Sequence, residues 1–159
     1  MLKKSFDIIF VVIFLPFIMF LFFITFFLSL IFNKKNIFFY QYRGGHLGKK
    51  ISIIKFRTME HETKEVSRFN SFLRKTRLDE IPQFLSVITG DLSIVGPRPL
   101  HYEYKNTYTK EQNKRFNLKP GITGLAQINQ KKNMTWTEQF NIDIWYVENC
   151  SFMLDLKII

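Results

Sequence analysis

Cysteine is nearly absent from this chain of 159 residues, since Cys150 is the only one. An intrachain disulfide and a cluster of metal-binding thiolates are therefore excluded. The sequence also lacks a glycine-rich Walker loop and a G-x-G-x-x-G pattern, so nothing in it indicates an NTPase or a dinucleotide enzyme. The three histidines, at positions 46, 61 and 101, do not have the spacing of metal ligands.

Acidic residues are scarce as well, 13 against 23 lysines and arginines, which gives a formal net charge of +10. A basic chain suits an anionic membrane surface or phosphate-bearing substrates. Nucleic acid would suit the same charge, but the sequence has no nucleic-acid-binding motif and begins with a long apolar segment. We therefore expect membrane lipids, and no nucleic acid, among its partners.

The first 32 residues hold ten of the 19 phenylalanines. From Ser5 to Phe32 the chain is almost entirely apolar, and Asp7 is its sole charge. No small-residue cleavage site follows this segment, so we expect it to be retained rather than removed as a signal peptide. As one helix it would measure about 42 Å, more than the ~30 Å of hydrocarbon that a spanning helix must cross.

Two features bear on how this segment meets a membrane. Pro16 lies near its middle, where it removes a helical hydrogen bond and favours a kink. Lysine pairs stand at both ends, at 3–4 and 34–35, without the asymmetry expected of a spanning helix. A re-entrant hairpin with half-helices at 5–15 and 17–32 would explain this symmetry. On the residues alone, the hairpin and a straight tilted span are equally open.

The rest of the chain predicts strands first. The runs 37–42 and 51–56 are typical of two short strands, and the three glycines between them favour a turn with positive φ angles. The charged segment 60–68 is predicted to be a surface loop or the start of a helix. Apolar residues at helical spacing then predict an amphipathic helix that includes Val66 and Leu73.

Further helices are predicted towards the C-terminus. One begins at 78–82 and ends at Gly90, with Ile81, Phe84, Leu85 and Ile88 as its buried face. Another covers 103–117, and a third runs from a capping box at 135–138 to about Glu148. The fold class is therefore α+β and mainly helical, with a membrane segment at 1–35 and one cytosolic domain at 36–159.

Asp79 and Glu80 form a pair of adjacent carboxylates at a predicted helix start. The commoner explanation is structural, because Asp79 can cap the helix and acidic residues favour the positive end of its dipole by about 0.3–1 kcal/mol. The functional explanation is that a carboxylate can attack phosphorus as a covalent nucleophile and can bind Mg²⁺. A helix N-terminus also attracts phosphate.

Four basic residues accompany the pair: Lys55 and Arg57 in KFRTM, Arg74, and Arg98 in GPRP. Arginine can bind phosphate through two hydrogen bonds and stabilises charge on a transferring phosphoryl group. Taken singly, the first three are more simply explained as solvated surface charges. Arg98 differs, because Pro97 and Pro99 stiffen its loop. The PGITG segment at 120–124 either approaches a ligand through its glycines or is a structural turn.

Read in order, these motifs resemble the bacterial sugar transferase family, and within it the small monotopic phosphoglycosyl transferases. The motifs are a proline-broken membrane helix, FYQYRGG, KFRTM, FLRKTRLDEIPQF, TGDLSIVGPRP, PGITGLAQIN, a D-x-x-Y segment and LDLKI. The resemblance covers nearly the entire chain, and LDE followed by GPRP is its most specific element. It implies a re-entrant helix with both ends cytoplasmic, at the bacterial inner membrane.

The resemblance also implies a two-step reaction. The family's aspartate, matched by Asp79, attacks the β-phosphate of a UDP-sugar, releases UMP and holds the phosphosugar covalently. Polyprenyl (undecaprenyl) phosphate then accepts it, which starts a capsule, O-antigen, exopolysaccharide or glycoprotein glycan. Glu80 matches the dyad partner that assists with Mg²⁺ or proton transfer. Arg98, Lys55 and Arg74 match basic positions near the phosphates, and the same motifs contribute Arg57 and Pro97 as candidates.

The chain departs from the family pattern in four places. Leu15 stands where Ser commonly precedes the hairpin proline, and Leu125 replaces a Trp in PGITGWAQ. The stretch between KFRTM and FLR is short, and relatives usually continue beyond Ile159 with another amphipathic helix. These departures motivate an alternative, a truncated and catalytically weak or inactive member that acts as a membrane-bound scaffold or lipid-binding protein. A second copy of the chain or pathway glycosyltransferases are open as protein partners.

Overall fold

The computed structural model describes residues 2–33, 36–59 and 66–159. The N-terminal segment forms α1 (Leu2–Asn33), and Pro16 lies inside it. The half-helices predicted on either side of Pro16 are therefore parts of one continuous helix, because a proline removes a single helical hydrogen bond and the other turns keep theirs. The lysine pair at 34–35 and positions 60–65, which include His61, lie outside the described residues.

Helix α1 exposes most of its apolar surface. The stretch Lys3–Asn33 has a mean hydropathy of 3.0 over its most apolar window and is long enough to cross a membrane. Only a narrow face packs on the rest of the protein, where Val11 joins the core. Asp7 is buried on the same face and accepts hydrogen bonds from the Ser93 hydroxyl (2.8 Å) and the Ile94 amide (3.1 Å).

Both ends of α1 are attached to the same domain. At the N-terminal end, Lys3 Nζ lies 2.5 Å from Asp155 Oδ2 and donates to the Tyr146 hydroxyl (3.0 Å). At the C-terminal end, Asn33 donates to the Arg57 carbonyl (2.9 Å) and accepts from the Asn70 side chain (3.0 Å). The helix is thus fixed along the domain at its two extremities.

The predicted β-hairpin is present. Strands β1 (Phe38–Gly44) and β2 (Lys50–Phe56) pair antiparallel and are joined by a short 3₁₀ turn. Of the three glycines in this region only Gly48 has a positive φ, 69°. Gly44 and Gly45 are required for space instead, because a Cβ on them would lie 2.8 Å from Phe116 and 2.6 Å from Ile51.

The segment with the two carboxylates begins differently from the prediction. Helix α2 (Arg68–Thr76) ends at Arg77, whose φ of 61° is left-handed. A 3₁₀ helix, Leu78–Gln83, starts immediately after it. The predicted N-cap role of Asp79 is therefore wrong. Because the turn at Arg77 leads directly into the 3₁₀ helix, Asp79 becomes its second residue.

The 3₁₀ helix continues into α3 (Phe84–Thr89), which ends at Gly90 with a φ of 87° as predicted. The predicted buried face is correct at Ile81 and wrong at Leu85 and Ile88, which are 60% and 50% exposed. The 3₁₀ helix before α3 has three residues per turn rather than 3.6. A helical spacing counted from Ile81 is therefore out of phase by the time it reaches Leu85 and Ile88 in α3.

The glycines of PGITG pack against the loop that contains GPRP. Strands β3 (Ser93–Val95) and β4 (Gly121–Thr123) form a short parallel pair. A Cβ on Gly121 would overlap the backbone nitrogen of Gly96, and one on Gly124 would overlap the Gly96 carbonyl oxygen. The glycines of PGITG therefore serve a close approach of two backbone segments.

The predicted helix 103–117 is broken into 3₁₀ turns around a short α4 (Lys110–Asn113). Thr109 causes the break, because it forms a capping box with Gln112 and so starts a new helix.

Helix α5 (Leu125–Ile128) follows β4. The predicted capping box of Thr135 and Glu138 is confirmed and opens α6 (Trp136–Glu148), and α7 (Phe152–Ile158) closes the described chain. The α+β, mainly helical class is confirmed. The buried core joins β2, α3, β3, α6 and α7 to α1 through Val11, Ile51, Ile53, Val87, Leu92, Ile94, Val95, Tyr146 and Ile158.

Candidate active site

A cleft opens where β1, β2, the 3₁₀ helix and the loops around β3 and β4 meet. It encloses about 290 Å³ of space, open solvent included. Its lining combines three cations, one carboxylate, two amides and several small or apolar residues: Arg43, Ile53, Lys55, Glu80, Gln83, Arg98, Pro99, Gly121, Ile122 and Gln127. A concave site with this excess of positive charge is suited to an anionic ligand.

The carboxylate pair lies at the wall of this cleft. Glu80 lines it, and Lys55 Nζ lies 2.6 Å from Glu80 Oε1. Arg77 approaches the same oxygen at 3.6 Å. Asp79 is buried beside the cleft, with 8% of its surface exposed, and is not one of the lining residues. Within the described residues, Glu80 therefore forms the ion pairs of the dyad, and Asp79 forms none.

Asp79 has the electrostatic character of a reactive carboxylate. Burial raises the pKa of Asp79 above its ordinary value, and the charge of Glu80 raises it further, whereas Lys55, Arg74 and Arg77 oppose this shift. Its side chain forms no hydrogen bond or ion pair with another residue of the described chain. A buried, more basic carboxylate that is not held in an ion pair by the described residues is suited to attack an electrophile.

Two arginines, Arg43 and Arg98, line the cleft together. Arg98 was predicted from the GPRP motif, and Arg43 was not predicted. Arg43 donates to the Pro99 carbonyl (3.3 Å) and to the side chain of Gln41, which also contacts His101. Burial and the charge of Arg98 lower the pKa of Arg43. Two guanidinium groups that line one cleft are suited to bind an anionic group such as a phosphate or diphosphate.

Three other predicted site residues, Arg57, Arg74 and Pro97, are not among the residues that line the cleft. The Arg74 side chain donates to the Thr58 hydroxyl (2.9 Å) and acts on Asp79 through its charge. Arg57 donates to the carbonyls of Asn36 (2.8 Å) and Phe38 (3.3 Å), at the junction between α1 and β1. Pro97 is buried, and its carbonyl accepts from the Gly121 amide at 3.0 Å.

The family profile of bacterial sugar transferases matches residues 1–159. This chain belongs to the bacterial sugar transferase family. It is 46% identical over 133 residues to an uncharacterized sugar transferase, EpsL, of Bacillus subtilis, a match that covers 77% of this chain and 66% of the relative.

Named transferases match as well. Identity to the UDP-glucose:undecaprenyl-phosphate glucose-1-phosphate transferase of Klebsiella pneumoniae is 40%, over 80% of this chain and 32% of the relative. The Escherichia coli protein of the same name is 38% identical over 76% of this chain and 30% of the relative. The chain thus spans about a third of the length of these two transferases.

A buried ion pair supports the GPRP loop of this family member. Arg115 donates to Asp143 Oδ2 (2.6 Å) and to the carbonyl of Arg98 (2.7 Å), and both charged residues of the pair are almost fully buried. Asp143 is the aspartate of the D-x-x-Y segment. The sequence motif indicated the family but not the contact of Asp143 with Arg115, the residue that also donates to the backbone carbonyl of Arg98.

The dyad offers oxygen ligands for a divalent cation. Mg²⁺ is usually bound by one or two carboxylates, with substrate phosphates and water completing its shell. Asp79 and Glu80 fit that arrangement. The part of the chain that the structure describes contains no group of three or more Asp, Glu, His or Cys residues that could hold a metal. The residues therefore fit a cation that is held jointly with a phosphate ligand.

Proposed function

We propose that this chain transfers a sugar-1-phosphate from a UDP-sugar to polyprenyl phosphate, with undecaprenyl phosphate as the natural candidate. The observation that carries the proposal is a pair of adjacent carboxylates, the buried Asp79 and the half-buried Glu80, at a cleft lined by Arg43, Lys55 and Arg98. The names of the relatives support both substrate classes, because they contain UDP-glucose and undecaprenyl phosphate. Such a transfer would begin the assembly of a lipid-linked glycan.

The proposed first step is a displacement at the β-phosphorus of the UDP-sugar. An oxygen of Asp79 forms a bond to that phosphorus, and the bond to the bridging oxygen breaks, so that UMP leaves with the electron pair. In the second step an oxygen of polyprenyl phosphate attacks the same phosphorus. The bond to Asp79 then breaks, which restores the carboxylate and yields the polyprenyl diphosphate sugar.

The ion pairs favour Asp79 over Glu80 as the nucleophile. Lys55 engages Glu80, whereas the more basic Asp79 forms no ion pair within the described chain. In this proposal Arg98 and Arg43 bind the diphosphate and stabilise the charge that develops on it. Arg74 supports Asp79 through its charge. Mg²⁺, held by the dyad and the phosphates, would neutralise part of the negative charge.

The experiment that tests the proposal is UMP release. The protein in nanodiscs, supplied with Mg²⁺ and undecaprenyl phosphate, should release UMP from at least one member of a panel of UDP-sugars. It should also form a polyprenyl diphosphate sugar in equal amount. An absence of UMP across the whole panel would contradict the proposal and favour the scaffold alternative.

We further propose that α1 bends at Pro16, so that the helix dips into the membrane and both of its ends stay with the catalytic domain at the cytoplasmic face. The contacts of Lys3 and Asn33 support this, because both ends of the helix bind the same domain. A spanning helix would place about 30 Å of hydrocarbon between its ends. Lipid would cover the exposed apolar side chains of α1.

Cysteine labelling tests this topology. In a Cys150→Ser background, single cysteines at the exposed positions Lys4 and Lys49 mark the start of α1 and the domain. Both should react with a membrane-impermeant maleimide only after the cells are opened. Labelling of Lys4→Cys, but not Lys49→Cys, in intact cells would show that the helix spans the bilayer.

A further inference from the structure

Two glutamines in the cleft carry polar atoms without a partner. Gln83 is 3% exposed, and its Nε2 has no hydrogen-bond partner within the described chain. Gln127 is half-buried, and its Oε1 likewise has no hydrogen-bond partner within the described chain. Leaving such a group unpaired costs about 1–3 kcal/mol. Because both residues line the cleft of Lys55, Glu80 and Arg98, a group bound in that cleft, ordered water or a ligand, is what would satisfy them.

The orientation of the Gln127 amide is fixed by its surroundings. Its Nε2 donates to the Ile122 carbonyl at 2.9 Å, which leaves Oε1 as the unpaired acceptor. Gly124 makes room for this oxygen, since a Cβ at that position would lie 2.6 Å from it. The PGITG turn therefore shapes the cleft at this point although its glycines mainly serve backbone packing.

The chemistry of these two atoms differs from that of the nearby cations. Nε2 of Gln83 donates and can meet any acceptor, a phosphate oxygen included. Oε1 of Gln127 only accepts, so an ionised phosphate oxygen cannot satisfy it. It requires a donor. A hydroxyl group both donates and accepts, and so matches an unpaired acceptor and an unpaired donor in one cleft.

We infer that Gln83 and Gln127 recognise a hydroxyl group of the transferred sugar and thereby select which sugar the cleft accepts. This inference rests on the proposed function and adds neutral hydrogen-bonding groups for the sugar to the charged groups of the cleft. A site that hydrogen-bonds a substrate hydroxyl discriminates strongly against the analogue that lacks it, because the polar groups of the protein are then left unpaired.

The test uses Gln83→Met and Gln127→Met, which keep the length of the side chain and remove its amide. Each should lower kcat/KM for the preferred UDP-sugar by about 10- to 100-fold, the loss expected for one unpaired hydrogen bond. Deoxy and epimeric UDP-sugars that lack the recognised hydroxyl should be used almost equally by wild type and variants. Gln130→Met, at an exposed position outside the cleft, is the matched control.

Competition by UMP separates the sugar from the nucleoside as the source of the hydrogen bond. If the glutamines bind the sugar, the inhibition constant of UMP should be the same in wild type and variants. Weaker UMP inhibition in the variants would assign the contact to uracil or ribose and overturn the inference. An equal loss for every sugar would do the same, since it would indicate a merely structural role.

Binding measured without turnover keeps the inference distinct from the proposed function. In an Asp79→Asn background, UDP-sugar binding should weaken on Gln127→Met while UMP binding does not. If this holds and wild type releases no UMP, the catalytic proposal fails and the inference stands. If wild type releases UMP and the glutamine variants keep its sugar preference, the inference fails and the catalytic proposal stands.

Discussion

Asp79→Asn should reduce UMP release by about 10⁴-fold or more, the order of loss seen when a covalent nucleophile is removed. Asparagine keeps the size of the side chain but cannot form the bond to phosphorus that the first step requires. The measurement is the initial rate of UMP release from the preferred UDP-sugar in nanodiscs. A melting temperature near that of wild type would show that the loss arises from chemistry rather than from unfolding.

Trapping of the covalent phosphosugar intermediate tests the role of Asp79 directly. With a labelled UDP-sugar and no polyprenyl phosphate, wild type should retain labelled phosphosugar and Asp79→Asn should retain none. Asp91→Asn, an exposed aspartate beyond α3, serves as the control and should behave like wild type. Label that persists in Asp79→Asn but disappears in Glu80→Gln would transfer the nucleophile role to Glu80.

The pH profile should reflect the environment of this carboxylate. Only the ionised form of Asp79 can attack phosphorus, and burial together with Glu80 raises its pKa. Activity should therefore fall as the pH drops through a value above the ordinary range of aspartate. Glu80→Gln removes one of the two causes, so it should move this acidic limb to lower pH.

Local signals in the sequence predicted those parts of the fold that local interactions decide. The capping box at Thr135 and the β-hairpin are examples, since neighbouring residues contain all the necessary information. The prediction of one helix over 103–117 was wrong, because the polar helical pattern continues across Thr109, where a capping box starts a new helix. Asp79 was placed wrongly as a cap because the left-handed conformation of Arg77 has no clear sequence signal.

The site could be predicted only where a motif marked it. Glu80, Lys55 and Arg98 lie together as their motifs suggested, and Asp79 lies beside them. Arg43, Gln83 and Gln127 were missed because they meet through tertiary packing of segments far apart in the chain. Arg43 lies two residues after Gln41 and on the same face of β1, yet nothing in the strand indicated that this face borders a cleft.

Arg115→Met should destabilise the protein by about 3–5 kcal/mol, because it leaves the buried carboxylate of Asp143 without its partner. For a chain of this size such a loss corresponds to a fall in melting temperature on the order of 10 °C. Thermal unfolding in detergent would measure it. Lys114→Met is the control, since Lys114 pairs with Glu111 and Glu148 at the surface and should change the melting temperature little.

A double variant separates stability from the support of the GPRP loop. Replacing both Arg115 and Asp143 by apolar residues removes the unpaired charge, so Arg115→Met/Asp143→Leu should recover much of the lost stability. The Arg98 carbonyl would still lack the donor that Arg115 provides at 2.7 Å. UMP release should therefore stay below wild type in the double variant. Full recovery of both properties would mean that the pair does not position Arg98.

The pH dependence of this effect has a definite sign. Burial raises the pKa of Asp143 to about 6, while Arg115 opposes the shift. A carboxyl whose pKa is higher in the folded state stabilises the fold when protonated, and that contribution is lost as the pH rises through the folded-state pKa. Arg115→Met removes the opposing charge, so this pKa rises further and more stability is lost on ionisation. The gap in melting temperature between wild type and Arg115→Met should thus be widest near pH 8 and narrow towards pH 5. A gap that widens on acidification would contradict a buried, unpaired Asp143 as the cause.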